Sequence, residues 1–123
     1  MKIYRGRRCY DERDIDNVSK GLQPSGHLIV TIEENGVSRP LDPRTDLANH
    51  SSTGFEWGYH GSGPAQLALA ILADCIGEAS AMENKLYQLF KAAVVASLPK
   101  DEWFMTEDQV RAAVRKIRSR EDA

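Results

Sequence analysis

The stretch GFEWGYHGSGPAQLALAIL, residues 54–72, places three chemically capable side chains close together: Glu56, His60 and Ser62. Glu56 and His60 can act as an acid–base pair, and Ser62 beside His60 offers a nucleophile next to a base. A triad needs nucleophile, base and orienting group to converge in space, which adjacency along the chain does not supply. The competing reading puts Glu56 on a solvated strand face and His60 in a turn, and the expectation leans to a non-enzymatic protein with no catalytic residue and no cofactor. His27, His50, His60, Cys9 and Cys75 carry metal-ligating atoms, but not at a C-x₂-C or H-x₃-H spacing. No metal site is expected.

Two further chemistries lie in the same stretch. Gly61-Ser62-Gly63-Pro64 runs directly into an apolar segment. The backbone amides of Gly61, Ser62, Gly63 and Ala65 can cradle an anion at a helix N-terminus, as in a small anion- or nucleotide-binding module. Neither the phosphate-loop Lys-Ser/Thr nor the three spaced glycines of the dinucleotide fingerprint is present. The glycines also serve as a tight turn into the helix. Phe55, Trp57 and Tyr59 alternate, which suits a short strand with its rings on one side. Buried beneath a helix they are core; turned outward they are a binding anchor. The candidate interaction surface is Phe55, Glu56, Trp57, Tyr59, His60 and Ser62. Gly58 between two rings suggests close approach by another backbone.

Charge narrows the partner. The 123 residues carry a net charge of −2, whereas a protein held to nucleic acid by phosphate contacts is usually clearly basic. A mimic of the DNA surface needs far more negative charge. Charge is locally segregated: Arg5, Arg7 and Arg8 precede the acidic run at 11–16, and Arg111, Arg115, Lys116, Arg118 and Arg120 crowd the tail. Nucleic-acid contact through Arg5, Arg7, Arg8, Arg111, Arg115 and Arg118 is therefore a third reading. Its alternative is a solvated helix face whose charges suit the helix dipole.

The elements that must position these groups follow from pattern. Residues 2–10 read as a first strand and 11–26 as a surface loop. Residues 27–33 are a strand with Leu28, Val30 and Ile32 on one face, and Asn35-Gly36 turns it into a returning strand at 37–41. Pro40 places that return at a sheet edge. Residues 42–54 read as a loop of the length that is often functional or mobile. From Gly63, with Gly63 or Ser62 as cap and Gln66 reaching back to it, a helix runs apolar all round until Asp74 and must be buried. A second helix spans about 78–98, with Met82, Leu86, Leu89, Phe90, Ala93, Val94 and Ser97 on its inner stripe. A third opens at the Thr106/Gln109 capping box, with Val110, Ala113, Val114 and Ile117 inside. Strands first and helices after give an α+β domain, a small antiparallel sheet of about three strands against three helices, the first buried. One domain spans 1–123, with 118–123 fraying.

The length suits one domain, and 41% apolar with 28% charged residues suits a soluble globular protein. Met1–Arg5 reads as a strand start and not as a signal peptide, and no apolar run approaches membrane-spanning length. The expected location is the cytoplasm, with both thiols reduced and the Asn49-His50-Ser51 acceptor unused.

The run from Phe55 to Leu72, with Tyr4-Arg5-Gly6-Arg7 before it and Phe90-Lys91 after it, resembles the signature of a family of small bacterial and phage proteins of unknown function. The resemblance covers most of the chain; the insertion between Tyr10 and His27 departs from it. It implies carriage on plasmids, phages and integrated elements, and an accessory role in conflict between mobile DNA and its host. Together these readings give an expectation: an interaction module that binds a host or defence protein and inhibits it by occlusion, with Trp57, Tyr59 and His60 at the contact.

Overall fold

The computed structural model describes residues 1–9, 19–21, 27–51 and 54–121. Most of the expected loop at 11–26, including the acidic run, lies outside them, as do residues 122 and 123.

Strand β1 is Ile3–Cys9, β2 is His27–Glu34 and β3 is Val37–Pro40. The β2–β3 hairpin turns at Asn35-Gly36, whose φ values of 54° and 78° are the positive pair that a tight hairpin turn demands. β2 alternates as expected, with Val30 and Ile32 buried and Ile29 exposed.

A fourth strand, β4 at Glu102–Thr106, adds to the three expected. It pairs with β1, so the antiparallel order is β3-β2-β1-β4, and the first strand of the chain lies inside the sheet. Trp103 and Met105 point into the core while Phe104 points out. This residue-by-residue alternation was masked in sequence by the apolar run Trp-Phe-Met.

Helix α1, Ser62–Ile76, is buried over almost its whole length, from Gly63 through Ala73 and again at Cys75. An apolar surface all round leaves it stable only between two layers, here the sheet and the remaining helices. Its cap differs from expectation. Gly61 is the N-cap, and among the described residues no side chain caps the end. Gln66 turns away from it to accept from the amides of His50 (2.8 Å) and Ser51 (3.3 Å) and to donate to the carbonyls of Pro43 and Ala48. A fully buried amide must satisfy both its ends, and the irregular 42–51 segment supplies the backbone groups that do so.

The single helix expected at 78–98 is broken. α2 is Glu78–Met82, a tight turn occupies 83–85, α3 is Leu86–Ala93, and another short turn follows at 95–97. Asn84 and Lys85 adopt positive φ, 51° and 56°, which resets the helical phase. Leu86, Tyr87 and Phe90 are consequently buried, whereas Met82 and Leu89, expected inside, are exposed, as are Ala93 and Ser97.

Helix α4, Glu107–Glu121, starts where the capping box placed it. The Thr106 amide donates to Gln109 Oε1 at 2.9 Å, and the Gln109 amide donates to Thr106 Oγ1 at 3.2 Å. Val110, Val114 and Ile117 are buried. The result is α+β: one open antiparallel sheet of four strands among the described residues, with three helical units on one face.

Candidate interaction surface

The aromatic stretch does not form a strand, and its rings do not share a side. Trp57 is fully buried, Phe55 is half-buried and Tyr59 is 45% exposed. Trp57 meets Trp103 edge to face, ring centroids 5.6 Å apart, and its Nε1–H donates to the Lys100 carbonyl at 2.9 Å. A buried indole packs on an apolar bed and usually finds an acceptor for its N–H; here Trp103 within β4 supplies the bed and Lys100, just before β4, the acceptor. Gly58 takes φ 82° and donates its amide to the Val95 carbonyl at 3.0 Å, the backbone approach expected there.

Glu56 is held in an ion pair. Its Oε1 accepts from Arg8 Nη2 at 2.7 Å and from the Trp57 amide at 3.1 Å. The Arg8 guanidinium also stacks 5.6 Å from the Trp57 ring. One arginine thereby fixes both the acid and the aromatic, joining the end of β1 to the loop before α1. Glu56 also packs on Gly63, where a Cβ would come within 2.5 Å of the Glu56 Cβ. Gly63 therefore permits the loop to lie against the helix start, and Gly63 and Ala65 are buried while Ser62 is exposed. His60 and Tyr59 stand at the exposed rim.

The six arginines of the nucleic-acid reading do not form one face. Arg8 is spent on Glu56 and Trp57. Arg5 pairs with Glu33 at 3.0 Å and lies over the Phe104 ring at 5.5 Å. Arg111 reaches the Cys75 carbonyl at 3.3 Å and pairs with Glu107. Arg115 and Arg118 are exposed on α4, within the helical layer, whereas Arg5 and Arg7 point from the opposite face of the sheet.

That opposite face carries a feature with no counterpart in the sequence reading. Among the described residues no element packs on it. A groove of about 830 Å³ crosses it from Ser38 on β3, over Ile29, Arg7 and Phe104, to Leu98 and Pro99 beside β4. Ile29 is 37% and Phe104 62% exposed. Arg7 and its cross-strand neighbour Glu102 have no ion-pair partner among the described residues. The sequence signal for this face was an apolar residue at an outward position of β2, visible once Leu28, Val30 and Ile32 are assigned inward.

A second polar cluster fastens the layers. Asp74, the one acidic residue of α1, accepts from Tyr4 Oη at 2.7 Å and Lys2 Nζ at 3.3 Å, and Arg39 approaches at 3.7 Å. Burial first, and then the hydrogen bond to Asp74, push the Tyr4 phenol well above its ordinary range; burial likewise raises the Cys75 thiol. Both cysteines are free. Among the described residues, no group of three or more His, Cys, Asp or Glu side chains is placed to hold a metal ion, and no helix is long and apolar enough to cross a membrane.

An open sheet, a buried central helix and an internally consumed Arg8–Glu56 pair characterise this α+β fold, with Trp57 enclosed in the core and Tyr59 left at the exposed rim. Residues 4–116 match the family described as "Family of unknown function (DUF6166)", and the chain belongs to that family. No curated protein and no solved structure matches the chain.

Proposed function

We propose that the chain is a non-enzymatic protein-interaction module acting by occlusion, with the groove on the sheet face that no described element covers as its contact surface. The reading is carried by Ile29 and Phe104, apolar side chains exposed in one groove among charges of both signs. Aromatic and apolar anchors with a mixed polar rim are the composition of protein–protein contacts. Arg5 and Arg7 stand beside Glu33 and Glu102, a pattern suited to a protein patch that also carries both signs, and not to the uniformly anionic backbone of nucleic acid. Phe104 replaces Trp57 as the anchor, because Trp57 is enclosed; Tyr59 and His60 remain a smaller exposed rim.

The partner we propose is a host or defence protein met in the cytoplasm, with the chain carried on a mobile element. The free thiols are compatible with a reducing compartment, and the mobile-element setting rests on the bacterial and phage resemblance of the Phe55–Leu72 run. The test is affinity capture from the native host with wild type, Phe104→Ala and Ile29→Ala. A stoichiometric partner lost from both variants at unchanged melting temperature supports the groove. A partner retained by both and lost from Tyr59→Ala would return the contact to the rim beside α1.

A further inference from the structure

We propose that the outer edge of β4 pairs antiparallel with the same strand of a second copy, with Glu102 of each chain opposite Phe104 of the other. Two backbone hydrogen bonds bracket the β1–β4 ladder. The Arg8 amide donates to the Asp101 carbonyl at 2.8 Å, and the Glu107 amide donates to the Lys2 carbonyl at 3.0 Å. Hydrogen-bonded pairs in an antiparallel ladder alternate with non-bonded ones, so Gly6–Trp103 and Tyr4–Met105 are the bonded pairs between those two. The N–H and C=O groups of Glu102, Phe104 and Thr106 therefore point away from β1. Thr106 confirms the direction, since its amide is taken by the Gln109 side chain. Glu102 and Phe104 have no such cover: no further hydrogen bond of theirs is present among the described residues.

The opposite edge of the sheet is protected. β3 ends in Pro40, which lacks a donor and blunts edge pairing. Among the described residues only β4 offers a run of free alternating donors and acceptors, and its pattern is self-complementary. With Trp103 on the two-fold axis, Glu102 faces Phe104 of the second copy and Phe104 faces its Glu102, each pair exchanging both N–H···O bonds. The neighbouring registers are worse. One sets Glu102 against Glu102, a like-charge cross-strand pair; the other asks for the Thr106 amide, already bound. In the favoured register Glu102 arrives beside the Phe104 ring of the second copy, over which Arg5 lies, so opposite charges meet. Edge pairing leaves the groove face uncovered, and the inference stands or falls apart from the proposed function.

Sedimentation equilibrium across the micromolar range, together with amide hydrogen exchange at rising concentration, tests it on the native protein. We expect a concentration-dependent dimer in which the Glu102 and Phe104 amides slow as the dimer fills. Glu102→Pro removes an outward donor without touching the β1 ladder. It should keep the fold and weaken the dimer by roughly tenfold or more, the effect of losing one backbone bond and its symmetry mate. A monomer throughout the range overturns the proposal. So does a dimer whose two amides exchange at the monomer's rate.

Discussion

Trp57 illustrates what a single residue can and cannot disclose. Its type and spacing suited either a core or an anchor, and the deciding atoms, the Trp103 ring and the Lys100 carbonyl, lie far along the chain. Trp57→Ala should cost about 3–5 kcal/mol of stability, the usual range for truncating a buried aromatic, read as a large drop in the denaturant midpoint. Phe104→Ala, on the open face, should leave that midpoint nearly unchanged. Tyr4 gives a pH signature. Its phenol is raised in the folded state, so its contribution is complete below the ordinary value of 10.0 and is lost as pH climbs beyond it. Cys75 adds in the same sense, beginning from the ordinary thiol value of 9.0. Stability should therefore decline on the alkaline side, and Tyr4→Phe should remove the upper part of that decline in pH-dependent unfolding curves.

At the level of elements, what was legible had a local cause. The Asn35-Gly36 hairpin, the buried α1 and the Thr106/Gln109 box each depend on residues within a few positions of one another, and all three formed as their side chains dictate. What was not legible depended on partners elsewhere. β4 exists because β1 offers it an edge, and Trp-Phe-Met reads as an apolar run until one of its faces is known to be solvent. Asn84 and Lys85 look like ordinary helix-surface residues, yet both are left-handed and split the second helical unit. Gln66 was expected to serve its own helix and instead holds the 42–51 segment, through contacts no pattern encodes. The capping box is the element most directly testable. Thr106→Ala should cost about 1 kcal/mol, and pairing it with Gln109→Ala should show coupling in a double-mutant cycle.

For the molecule as a whole, fold class followed from the order of strands and helices, and the candidate surface did not. Interfaces are made by what a fold leaves uncovered, and the side of the sheet opposite the helices becomes known only when the helices are placed. The strand order adds a consequence for how the protein comes into being. β1 precedes both of its neighbours in the chain but sits between them, and among the described elements β4 comes after every helix but α4. A nascent chain must thus carry β1 with one flank unpaired until β4 has been made. Pairings so distant in sequence slow folding and leave an aggregation-prone intermediate. A chain stopped at Asp101 should remain incompletely folded on the ribosome, shown by protease sensitivity of stalled chains. Protection should appear only once Thr106 and the helix it caps have cleared the exit tunnel.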